Sequence, residues 1–241
     1  MSGVPKAWAP RRFWTAAGVA EAPGGYNVTL DGRPLRTPAR APVVLPGRAL
    51  AQALAAEWDA QEGAVQPATM PLTRAVNSAI DTVTPRRPEV EAEIARYGET
   101  DLLCYRAVAP AGLVALQAAA WDPLLAWAAE SLGARLVTVE GVMYAAQPPA
   151  ALAALRRALE RFDAFELTGL HELVAQSGSL VIGLAAASGR ESPESLWDKA
   201  HVDEAWQISQ WGEDAEAAAA AALRRQGFLQ AMRLIALARA G

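Results

Sequence analysis

Hydrophobic positions along this chain change their spacing, and the changes divide it. Over the first ~45 residues, apolar, aromatic and β-branched side chains come in two short runs, Phe13–Val19 and Tyr26–Leu30, with Pro23-Gly24-Gly25 as a turn between them. Asp31-Gly32 supplies a second turn, followed by short pieces at 35–37 and 43–45. Pro34, Pro38, Pro42 and Pro46 keep those pieces short or at a sheet edge. The pattern predicts a small antiparallel sheet. At Pro46-Gly47 the spacing turns helical: Leu50, Leu54, Trp58 and Gln61 recur every three or four residues, and Gly63 offers a left-handed stop. A further helix is expected over 72–82, after Met70-Pro71.

Beyond Pro85 the chain reads as mostly helical, with candidates at 87–97, 111–132, 149–162, 167–187, 193–211 and 215–240. Asp122-Pro123 can act as N-cap and first helical residue, so 111–132 is either kinked or two helices. Arg135–Val139 and Val142–Tyr144, hinged at Glu140-Gly141, read as a β-hairpin inserted between helices. The expected fold is α+β. A small N-terminal α/β domain with an antiparallel sheet spans 1–84, and the 134–146 hairpin is free to join that sheet; a larger α-helical domain spans 85–241.

Composition narrows the function. A net charge of −4 and a pI near 5.3 argue against nucleic acid or an anionic membrane as partner. The single cysteine, Cys104, excludes a disulfide framework and any zinc site built from several thiolates. The uncharged stretch 173–189 contains Gln176, Ser177 and Ser179 and falls short of the ~20 apolar residues that a membrane span needs. Met1–Arg12 has no apolar run after its charges, so it does not read as a secretory signal.

Catalytic signals are poor. Neither common glycine-rich phosphate loop is present. His171 and His201 lie thirty residues apart and make no paired-ligand motif. Cys104 sits among apolar residues, which raise a thiol pKa, and Ser177-Gly178-Ser179 lacks the flanking pattern of a nucleophile elbow. Arg33, Arg36 and Arg40 form a basic patch that reads as a solvated face. Trp58 shares a helical face with Leu50 and Leu54, so its expected role is structural.

The most informative segment is Ser192–Trp211. Ser192-Pro193-Glu194 is a strong helix start. On one helix from there, Trp197, His201, Glu204, Ile208 and Trp211 form a single stripe, with Glu204 at its centre in a partly desolvated setting. Two readings of Glu204 follow: an internal partner for an arginine of a neighbouring helix, or the charged centre of a recognition surface. Asp203 and Glu204 point to different faces and make no catalytic dyad.

Six motifs taken together resemble a known family. They are Leu30-Asp31-Gly32-Arg33-Pro34-Leu35-Arg36-Thr37-Pro38; Glu57-Trp58-Asp59-Ala60-Gln61; Met70-Pro71-Leu72-Thr73; Thr100-Asp101-Leu102-Leu103-Cys104-Tyr105-Arg106; Gln117 with Trp121-Asp122-Pro123-Leu124-Leu125; and Asp203-Glu204 with Gln207 and Trp211-Gly212. In this order they resemble the assembly chaperones of the α subunit of F-type ATP synthase, known from mitochondria and related bacteria. The resemblance implies a helical domain built as an orthogonal bundle, no enzymatic activity and no cofactor; the histidine spacing gives no reason to expect a metal either. It implies a client, the α subunit, whose β-subunit-facing surface is shielded until assembly. Glu204, Asp203, Gln207, Trp211 and Trp197 become the expected partner-binding residues, and Trp58, Trp121 and Asp101 structural ones. The lack of a mitochondrial presequence within Met1–Trp14 favours a bacterial cytoplasmic protein; a trimmed matrix form is the alternative. A monomer is expected when free. A non-catalytic adaptor for another client, or a carboxylate enzyme using His201, Asp203 and Glu204, are the competing classes.

Overall fold

The computed structural model describes residues 11–240; most of the N-terminal stretch read above for targeting signals lies outside them. Contacts divide the chain into two compact units, one running to Pro85 and including the chain from Ala236 onward, the other Arg86–Ile235.

In the first unit β1 (Ala17–Ala22) and β2 (Gly25–Leu30) form a hairpin in which Ala22 faces Gly25, so Pro23-Gly24 make the turn. β3 (Arg33–Pro34) follows through Asp31-Gly32, both at positive φ (48° and 79°), the turn that an Asp-Gly pair favours. β4 (Val44–Leu45) pairs with the start of β2. The sheet is therefore antiparallel with β2 inside and β1 outermost. The first strand begins later than its apolar run, because Thr15 and Ala16 donate their amides to the Asp31 carboxylate at 3.0 Å. Those two donors hold the Asp31 carboxyl below its usual range.

Helix α1 (Arg48–Asp59) buries Leu50, Ala51, Leu54 and Ala55, and packs against β1 and β2. Its last turn carries Glu57, whose carboxylate accepts from the Leu72 and Thr73 amides at 2.8 Å and from Thr73 Oγ1 at 2.9 Å. This supplies the N-terminal cap that α2 (Pro71–Ser78) lacks locally. Buried Gln61 closes the intervening loop by accepting from the Gln66 amide and donating to Thr69 Oγ1 and the Glu57 carbonyl. Trp58 packs on a cluster of Trp14, Leu30, Val65 and Met70, with its ring 5.2 Å from that of Trp14.

The second unit contains α3 (Arg87–Arg96), a short strand β5 (Tyr105–Arg106), α4 (Ala111–Trp127), β6 (Val139–Glu140), α5 (Pro149–Leu159), α6 (Ala164–Ser177), α7 (Leu180–Ala187), α8 (Pro193–Ala200), α9 (Val202–Trp211) and most of α10 (Ala215–Arg239). Helix α4 runs unbroken through Pro123 and ends in a π-helical turn, 128–132. Every residue of α7 is buried.

Three expectations are corrected. The 167–187 segment is two helices, because Gly178 takes φ 69° and Ser179 caps α7. The 134–146 hairpin does not form and does not join the N-terminal sheet: β6 pairs in parallel with β5, Val139 facing Tyr105. The physical reason lies in Gln147, whose amide accepts from the Val137 nitrogen and donates to the Val137 carbonyl, consuming the backbone groups that a hairpin would pair. Val142, Met143 and Tyr144 are left exposed. The third correction, a break within 193–211, shapes the candidate site.

Candidate functional site

Helix α8 starts as its sequence dictates, with Ser192 accepting from the Ser195 amide. It stops at Ala200 because side chains take the carbonyls that a further turn would need. His201 Nδ1 donates to the Trp197 carbonyl at 2.8 Å, and Trp121 Nε1 donates to the Lys199 carbonyl at 2.7 Å. His201 sits at φ −115°, ψ 26°, and α9 sets off afresh from Val202. The single stripe is thus broken. Trp197 is only 6% exposed, stacked on His201 (3.8 Å between centroids) and edge-on to Phe228 at 5.6 Å.

Two contacts dock α9 on α4. Buried Gln117 donates to Asp203 Oδ1 at 2.7 Å while its own oxygen accepts from the Ala107 amide at 2.8 Å. Trp206 lies against Gly112 so closely that a Cβ there would meet the indole at 2.7 Å. Sequence reasoning passed over Trp206. Its signal was available in the large–small complement of a tryptophan on one helix and Ala111-Gly112 on another.

An adjoining face of α9 carries Glu204, Gln207, Ile208 and Trp211, all exposed; Trp211 is 79% exposed and Ile208 45%. These positions follow helical spacing and share one face. Glu204 is not desolvated as expected. Its side chain is 51% exposed, and both carboxylate oxygens face Arg224 of α10 at 3.2 Å. Beside Arg224, Leu223 is 71% exposed. Of the five expected contact residues, Glu204, Gln207 and Trp211 come together on an open face, whereas Asp203 and Trp197 turn inward.

The expected structural residues sit in packed surroundings. Trp121 is 1% exposed and Asp101 fully buried, accepting from Leu103 N (3.1 Å), Ser179 Oγ (2.7 Å) and Val181 N (3.0 Å). Burial outweighs these bonds and pushes the Asp101 carboxyl up to about 6. Cys104 is buried beside it; desolvation first, then the Asp101 charge, raise the thiol to about 12. Among the described residues no cluster of three or more His, Cys, Asp or Glu could hold a metal, and no helix is long and apolar enough to cross a membrane.

Comparison with known proteins is decisive. The model of the ATP12 chaperone protein family matches residues 11–129. The crystal structure of Atp12 from Paracoccus denitrificans is 45% identical, with 95% of this chain and 98% of that one covered and a TM-score of 0.91. This chain belongs to the ATP12 chaperone family. An Asp-to-Lys mutant of the same Paracoccus protein superposes equally well, at 44% identity over 95% and 97% of the two chains and a TM-score of 0.91. The Atu1473 protein of Agrobacterium tumefaciens is 44% identical over 94% of this chain and 85% of that one, with a TM-score of 0.90. Within the family frame, four of the six motifs hold a side chain with an internal task, and a fifth, Met70-Pro71-Leu72-Thr73, supplies two of the amides so held. Asp31, Glu57, Gln61, Asp101 and Gln117 each tie backbone amides in place. The motif at 203–212 differs in presenting a large aromatic outward, Trp211, beside the exposed Glu204 and Gln207.

Proposed function

We infer that this chain is the assembly chaperone of the α subunit of F-type ATP synthase and that the exposed face of α9 receives the client. Membership of a non-catalytic chaperone family supports the first part. The observation that carries the second is the face itself: an exposed tryptophan and isoleucine aligned with a carboxylate, on a helix none of whose residues is buried. A few aromatic anchors within a polar surround suit an interface that binds well and then yields. In this reading the face shields the client surface meant for the β subunit, and the β subunit displaces the chaperone by mass action without ATP. The free protein is taken as a monomer in the bacterial cytoplasm, in keeping with the bacterial origin of the similar structures.

The pair with Arg224 favours a second reading, in which Glu204 is a strut between α9 and α10. Co-expression with the isolated α subunit separates the two, read as the fraction of α subunit that stays in solution and co-purifies. An exposed pair contributes only ~0–1 kcal/mol, so Glu204→Gln and Arg224→Ala should both leave the melting temperature nearly unchanged. As a contact residue, Glu204→Gln weakens rescue, Glu204→Lys weakens it more, Trp211→Ala abolishes most of it, and Arg224→Ala does not copy them. If Arg224→Ala reproduces the loss seen in Glu204→Gln, the carboxylate is a strut. Absence of any rescue by well-expressed wild-type protein would sink the chaperone assignment.

A further inference from the structure

The hairpin register fixes which backbone groups of β1 face outward. Ala22 and Gly25 flank a two-residue turn and bond to each other, as do the alternate pairs Ala20–Asn27 and Gly18–Thr29, so the even-numbered residues spend their amides and carbonyls on β2. The Asp31 amide bonding to the Ala16 carbonyl continues the same alternation. Ala17, Val19 and Glu21 therefore aim their backbone groups at the outer edge, where no strand pairs with β1 among the described residues. The Ala17 amide reaches Asp59 Oδ1 at 3.4 Å, which shows where that edge points.

Beside this edge lies an open groove of about 370 Å³, walled by Ala17, Gly18 and Val19 on the strand and Arg48, Gln52, Ala55, Ala56 and Asp59 on α1. Small side chains leave its floor free for a main chain. Its ends differ in charge. Asp59 is engaged by Arg12 at 3.2 Å, whereas Arg48 is exposed and forms none of the ion pairs found among the described residues. Outward strand amides and carbonyls, of which the Ala17 amide alone is met by Asp59, lie beside a shallow helix-walled groove and match the mode in which an extended segment adds to a sheet, main-chain bonds giving affinity and side chains giving selectivity.

We propose that the outer edge of β1 and its groove against α1 bind an extended segment of the client by strand addition, with an acidic side chain of that segment against Arg48. The occupant rests on the chaperone reading; the site rests on the register and the groove.

The probes are fluorescein-labelled twelve-residue peptides tiling the α subunit, titrated against the full chain by anisotropy. At least one peptide with an acidic residue should bind. Val19→Pro removes an outward amide at a position where an edge strand tolerates proline, and Ala56→Trp fills the groove from the helix side. Each should weaken that peptide at least tenfold with an unchanged thermal midpoint, and if Val19→Pro fails to fold, Ala56→Trp decides. Arg48→Glu should weaken it too, and a lysine in place of the peptide's acid should restore it. Failure of every peptide to bind, or binding indifferent to both Val19→Pro and Ala56→Trp, overturns the proposal. So does concentration-dependent dimerisation that Val19→Pro abolishes, since the edge would then serve a second copy. If wild-type chain still rescues the whole α subunit in these cases, only strand addition is lost; if it does not, the chaperone reading fails as well.

Discussion

Asp101 should make this protein gain stability as the solution is acidified over a defined window. Its carboxyl is fully buried with three donors and a folded-state value near 6, against 3.8 in the unfolded chain. A raised folded value means that the fold binds the proton more tightly than the unfolded chain does. Stability attributable to this group therefore rises as pH falls through 6 and levels off below 3.8. The difference of about two units corresponds to about 3 kcal/mol at ~1.4 kcal/mol per unit. Other carboxylates act in the opposite direction: Asp31 and Glu191 are held below their usual values and lose their contribution on acidification. The Asp101 share must therefore be isolated against Asp101→Asn, which has nearly the same shape and cannot titrate. Urea unfolding of both proteins at steps from pH 7.5 to pH 4 gives the difference in unfolding free energy. Whatever constant offset the amide introduces, that difference should move in favour of wild type by about 2–3 kcal/mol as pH falls. A flat difference, or one that moves the other way, would show that the bonds from Ser179, Leu103 and Val181 outweigh burial.

Trp58→Ala should lower stability by about 3 kcal/mol, the ordinary cost of truncating a packed aromatic, and Trp58→Arg by more, since a guanidinium would replace the indole against Trp14 and Met70. An unchanged thermal midpoint combined with lost client rescue would make Trp58 a contact residue instead. Cys104 should resist a thiol-specific disulfide reagent at pH 8 in the folded protein and react promptly in urea, because burial keeps it protonated. Fast labelling of the native protein would contradict the packing around Asp101.

Sequence periodicity was most informative where one face of an element is buried and the turn chemistry is local. Pro23-Gly24 and Asp31-Gly32 define the hairpins from their own residues, and Pro46-Gly47 marks the entry to α1. It misled where a distant side chain decides the backbone. Nothing near His201 in the sequence shows that Trp121, on another helix, will take the Lys199 carbonyl and help to end α8. Likewise Gln147 claims Val137 from ten residues away and prevents a hairpin that β-propensity alone favours. Placing Trp197 and Trp211 on one stripe assumed a continuous helix; once the axis breaks, one becomes core and the other surface. For Glu204 the sequence left an internal arginine partner and a recognition surface both open, and its actual exposure depended on α10, which the local pattern does not contain.

The exposed end of α9 has a consequence for the protein's own behaviour. An indole as open as that of Trp211 is the kind of surface through which two identical molecules adhere. Just beyond it the chain places Glu213, Asp214 and Glu216, all exposed, with no lysine or arginine between them and Arg224. Two copies approaching through this tip bring like charge against like, and the cost of that approach grows as ionic strength falls. The tip thus carries its own gatekeepers: charge discourages pairing with itself, while a partner offering basic or neutral groups meets no such barrier.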